Sequence, residues 1–306
     1  MKKILTTAIL CAGLVGFTAC DSFLDEDPKS SLTLDTYYKT SADIIGNVNY
    51  LYRDGAPDKM GNMTGAYRGS SLSVMNMVTG YFVNEYEGQE VDCSYARQLT
   101  RQDFTQSCCN YLTNDTWKSC YKSINVANAV IKYVDGVEMD NQAQYKAEAR
   151  FFRALNYFYL VKMFGDVPMV TEPTEDATLV EYPTRTAASE VFNTVIIPDL
   201  QFAVENLPNA TFAGNSHRVT KYAADMLLAD VYMRLGEYAN AVTPLKDVIN
   251  SGKFALATND NLAEGSAFNK LRTTDDLPEV IYAREYDAAI SPNAVSYTHL
   301  RAHETS

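Results

Sequence analysis

Histidine is nearly absent from this chain. Only His217, His299 and His303 occur in 306 residues, and the last two lie close to the C-terminus. A Ser-His-Asp or Cys-His site needs an imidazole base, so outside that tail it would have to use His217, in a Gly-Asn-Ser loop. No GxSxG elbow and no phosphate-cradling glycine loop occurs. Basic residues are outnumbered, 26 Lys and Arg against 38 Asp and Glu, for a formal charge of −12. That excess argues against nucleic acid and anionic membrane surfaces as electrostatic partners and reads as a solvated acidic surface. The CxxC spacing of zinc sites is missing, and adjacent Cys108 and Cys109 have no nearby histidine. Cys93, Cys108, Cys109 and Cys120 read as small buried side chains, with a Cys93–Cys109 disulfide as the alternative in an exported protein. Beyond the N-terminus no apolar run is long enough to span a bilayer.

What is present is tyrosine, 21 residues against a single Trp, and helical patterning over enough chain to bury a sizeable core. The N-terminus reads as a secretory signal: Lys2 and Lys3, an apolar stretch from Ile4 to Phe17, then small Thr18 and Ala19. The apolar stretch is too short to cross a membrane. Cys20 follows, and Phe-Thr-Ala-Cys has the form of a bacterial lipobox, with Phe17 in place of the commoner Leu. In a lipobox the cysteine is lipidated and becomes the mature N-terminus, and its lipid chains hold a protein on a membrane with no spanning helix. The acidic Asp25-Glu26-Asp27 then reads as a solvated tether.

Asp35 to Tyr52 alternates polar and apolar residues at helical spacing, with Ile44, Ile45, Val48 and Leu51 on one side. Arg53 to Gly69 reads as a loop, Ser70 to Val83 as a short helix, and Asn84 to Phe104 as a long polar loop. Regular helix returns near Asn114: Trp117, Tyr121, Ile124, Ala127, Asn128 and Ile131 share one face. That placement makes Trp117 a core residue. Asp135-Gly136 ends the helix. Ala147 to Val170, AEARFFRALNYFYLVKMFGDVPMV, is apolar on almost every side and stops at Gly-Asp-Val-Pro. A helix greasy all round is sunk in a core, and Gly165 and Pro168 end it. Its charged exceptions, Glu148, Arg150 and Arg153, are expected to hold their heads near solvent while their stems pack. These two helices form an antiparallel pair. A second pair, Val219 to Leu235 and Tyr238 to Asn250, places Gly236, Tyr238 and Ala241 as a tetratricopeptide repeat does at its turn and second helix. Pro244 is expected to distort the first turns of that second helix or to delay its start. With a further helical stretch at Thr186 to Leu207, the pairs suggest a solenoid.

Five blocks in order resemble the SusD/RagB family: DSFLDEDPKSSLT, WKSCYKSINVANAVI, AEARFFRALNYFYLVKMFGDVPMV, EVFNTVIIPDLQFAVENLP and HRVTKYAADMLLADVYMRLGEYANAVTPLKDVINSGKFAL. PEVIYAREY is similar to the start of the family's C-terminal half. The resemblance implies an all-α fold with tetratricopeptide-like helix pairs and long irregular loops. It implies a surface-exposed outer-membrane lipoprotein anchored through Cys20, partnered with a SusC-like TonB-dependent transporter. Such a protein binds an oligosaccharide and delivers it; a peptide cargo, or a purely structural lid, are the alternatives. No catalysis and no cofactor are implied, and a glycosidase is the remote third reading, with Glu85, Glu87, Glu90 and Asp92 as its carboxylates. The expected organisation is a signal peptide over 1–19, a lipidated tether over 20–34, a helical domain over 35–278 and the start of a truncated C-terminal region over 279–294. Residues 295–306, VSYTHLRAHETS, read as a non-native tail, so the i, i+4 spacing of His299 and His303 is not taken as a metal site.

Sugars offer flat C–H faces to aromatic rings and hydroxyls to amide, carboxylate and guanidinium groups. Tyr67, Tyr81, Asn84, Tyr86, Asp92, Tyr95 and Arg97, together with Phe82, supply that chemistry within one stretch of chain and are the candidate ligand contacts. No family motif assigns them, and each ring has packing on the helices beneath as its alternative.

Overall fold

The computed structural model describes residues 33–55, 79, 81, 101–102, 107–175, 183–260, 265–274 and 276–283. Leu34–Tyr37 (α1) is a single turn belonging to the unit that ends at Tyr37, and all further elements belong to the unit beginning at Tyr38. In chain order these are Ser41–Asp54 (α2), Ser107–Tyr133 (α3), Gln142–Phe164 (α4), Ala188–Val191 (α5), Ile197–Asn206 (α6), Lys221–Arg234 (α7), Tyr238–Asn250 (α8) and Ala267–Thr273 (α9). Among the described residues there is no strand, only an isolated antiparallel bridge between Val167 and Thr186. The architecture is therefore all-helical. α2 lies on α3 and α4, α3 pairs with α4, α4 packs on α6, α6 on α7, and α7 pairs with α8. Each element touches mainly its neighbours in the stack, as in tetratricopeptide-like solenoids.

Local chemistry sets the element ends. Asp43 in the first turn of α2 accepts the Thr40 N–H at 2.8 Å and the Thr40 hydroxyl at 2.7 Å, satisfying a donor the helix start leaves open. Those bonds hold the Asp43 carboxyl below its ordinary value. α3 begins at Ser107, earlier than the Asn114 expected from periodicity, because the turns before Trp117 carry polar residues that give no apolar stripe. Between α3 and α4, the Gln142 side chain donates to the carbonyls of Val134 (2.7 Å) and Val137 (3.1 Å), closing the short connection that makes the pair antiparallel. α4 stops at Gly165, whose φ of 68° and ψ of −121° suit only glycine. At the start of α6, Pro198 has no N–H, and its ring opposes a normal helical turn before it. The chain responds with a π-turn over Phe192–Ile196, in which the Ile197 N–H bonds back to Phe192. Pro244 lies within α8, which starts at Tyr238, so of the two expectations the later start does not hold. Its ring is buried with Ala241 and Val248 on the face turned to α7, and that burial offsets the missing hydrogen bond.

α4 is the centre of the core: Phe152, Ala154, Tyr157 and Leu160 are fully buried. Its charged residues depart from expectation, because their heads are not in solvent. The Glu148 side chain is 0 % exposed and Arg153 9 %. Each is held by a partner from a distant element, Glu148 by Arg218 and Arg153 by Asp199. A charge removed from water needs such a partner. Arg150 lies between the two cases, 25 % exposed, with its guanidinium 4.2 Å above the Phe202 ring. Tyr157 also has a polar role: its hydroxyl donates to the Val170 carbonyl at 2.8 Å and accepts the Val170 N–H at 2.7 Å. With Tyr121 on Pro168 and Asn128 on Val170 and Glu172, it clamps the extended chain after α4 onto the α3–α4 pair.

Asp225 on α7 is buried, and its Oδ2 has no hydrogen bond; Lys221 Nζ stands 3.8 Å away. Burial pushes its carboxyl up to about 6, Lys221 opposing and Asp247 adding to the shift. A carboxyl raised on folding favours its neutral form, so stability is lost as pH climbs from the unfolded value through the folded one. Asp225→Asn is therefore expected to raise the unfolding free energy by about 1–2 kcal/mol at pH 8, the gain shrinking toward pH 4. Urea unfolding at both values measures it, and an equal effect at the two would contradict this account.

Candidate functional site

Six of the seven candidate ligand contacts, Tyr67, Asn84, Tyr86, Asp92, Tyr95 and Arg97, lie outside the described residues, as do Phe82, the lipobox Cys20, most of the helix expected at Ser70 to Val83, and the tail histidines. Tyr81 is described. Its ring is 90 % exposed, and its N–H donates to the Thr79 hydroxyl at 3.2 Å. Tyr81 is thus not packed on the helices beneath.

The segment that carries these residues lies between α2 and α3 in the chain. On its N-terminal side, α2 ends on Gly55, whose N–H bonds to Leu51 at 2.8 Å. A Cβ there would stand 2.5 Å from the Leu51 carbonyl oxygen, so the position requires glycine. Asn156, buried in α4, donates to the Gly55 carbonyl at 2.6 Å and pins this end to the core. On its C-terminal side, α3 carries Trp117 in its N-terminal half. Trp117 is half-buried rather than a full core residue. Its ring meets Phe164 edge-on at 5.1 Å and Tyr121 at 5.0 Å, with the Arg185 guanidinium 5.9 Å from its centre. α3 and α4 run antiparallel, and the Trp117–Phe164 contact places the end of α4 beside the part of α3 around Trp117.

Two clefts elsewhere are bordered by described residues. One, of about 200 Å³, is bordered by Phe212, Phe254, Lys253 and Asp276. Beside it His217 pairs with Asp276 at 2.9 Å and stacks on Phe212 at 5.1 Å, which gives the single histidine outside the tail a packing role. The other, an open cleft of about 670 Å³, is bordered by Ile45, Glu138, Asp140 and Tyr145 near the α3–α4 turn. Among the described residues no cluster of His, Cys, Asp or Glu could hold a metal, and no helix is long and apolar enough to cross a membrane. Cys120 is buried with its thiol free, and burial pushes that thiol up to about 12. It is a packing residue, as expected; Cys93 and the side chains of Cys108 and Cys109 lie outside the description.

Residues 22–233 match the SusD-like_3 family, described as starch-binding and associating with the outer membrane. The chain belongs to the SusD-like family. It is 28% identical to SusD-like protein P2 of Formosa agariphila over 295 residues, 95% of this chain and 54% of that protein. A SusD-like protein of Bacteroides ovatus is 28% identical over 284 residues, 90% of this chain and 46% of that protein. The chain thus spans about half the length of the curated relatives it matches. Among solved structures, a SusD superfamily protein from Parabacteroides distasonis superposes with a TM-score of 0.58 at 26% identity, over 71% of this chain and 46% of that one. A laminarin-binding SusD-like protein superposes with a TM-score of 0.63 at 22% identity, over 80% of this chain and 51% of that one, which speaks to the fold. The all-helical SusD-like architecture expected from the five blocks agrees with these likenesses.

Proposed function

We propose that this SusD-like chain binds an oligosaccharide at the outer membrane and delivers it to a SusC-like TonB-dependent transporter. The observation that carries this reading is the family match over 22–233, which begins just after the lipobox cysteine. Lipidation of Cys20 would hold the protein on the membrane, and delivery requires no spanning helix. The work is binding without catalysis. Tyr81 and the neighbouring candidates Tyr67, Asn84, Tyr86, Asp92, Tyr95 and Arg97 meet the ligand, Tyr81 by presenting an open ring to a pyranose C–H face. The helical stack supplies the base, and the cargo is selected by the segment between α2 and α3.

Calorimetry with laminarin-derived and xyloglucan-derived oligosaccharides tests the reading. Binding to at least one is expected, and Tyr81→Ala should weaken it about two- to tenfold, the worth of roughly 0.5–1.5 kcal/mol for one stacked ring. Binding of peptides with no glycan bound would move the cargo to the peptide class.

A further inference from the structure

We draw no further inference here: the strongest candidate, the outward stripe of Tyr238, Val242 and Ile249 on α8, is an exposed apolar face, and nothing in the structure shows what covers it.

Discussion

Glu148→Ala is expected to destabilise the protein by about 3–5 kcal/mol, on the order of 10 °C in the unfolding midpoint. The reason is what the carboxylate leaves behind. Arg218 Nε lies 3.1 Å from both of its oxygens, and Arg218 Nη2 makes a further bond to Oε2. Gln144 donates at 3.0 Å, as does the Tyr52 hydroxyl. Tyr52 in turn accepts the Val219 N–H at 2.9 Å, and burial together with the adjacent carboxylate raises the Tyr52 hydroxyl well above its ordinary value. One carboxylate thus ties α2, α4 and the start of α7 together. Without it, Arg218 is a partly buried cation over the Tyr52 ring at 4.6 Å with only Asn49 as a polar partner. Chemical denaturation with an unchanged m-value measures the loss. Arg218→Met should cost a similar amount, and the Glu148→Met, Arg218→Met double variant should recover part of it, because two apolar side chains leave no orphaned charge. If the double loss equals the sum of the singles, the two residues do not act as a pair.

The ion pairs that organise this core were not legible in the sequence, and the reason is geometric. Periodicity reports which residues share a face, so it placed α4, α7 and α8 and the break at Gly236. It does not report that Glu148 meets Arg218 or that Arg153 meets Asp199, because those partners are far apart in the chain and local spacing is silent about them. One signal was available: a charge inside a helix that is apolar on every side has no nearby route to solvent and must find a buried partner. Pro244 does not delay the start of α8 for a related reason, since packing against α7 outweighs a local penalty. The site is less legible than the fold. Sugar-binding chemistry could be listed over Tyr67 to Arg97, but an exposed ring and a packed ring look alike in sequence. Only the 90 % exposure of Tyr81 separates them.

Asp199→Ala should produce the second large loss, again about 3–5 kcal/mol, and should spread it beyond its own contacts. Asp199 Oδ2 accepts Arg153 Nε at 2.7 Å and Oδ1 accepts Arg153 Nη2 at 2.9 Å, a two-point pairing of planar groups. Arg150 adds a second cation at 3.7 Å. Burial raises the Asp199 carboxyl above its ordinary value while the two arginines oppose that shift. The third arm of Arg153 donates to Asn128 Oδ1 at 2.9 Å, and the Asn128 amide donates to the carbonyls of Val170 and Glu172. Removing Asp199 therefore frees Arg153 to turn, loosens Asn128 and weakens the grip on the extended chain after α4. Asp199→Asn keeps the shape and loses the charge, so it isolates the electrostatic part and should cost less than Asp199→Ala. Amide exchange provides the discriminating readout: in Asp199→Ala the Val170 N–H, held by Tyr157, should exchange faster relative to the α8 amides than global destabilisation alone predicts. A uniform acceleration across the molecule would show that the coupling stops at Arg153 and does not reach the clamp.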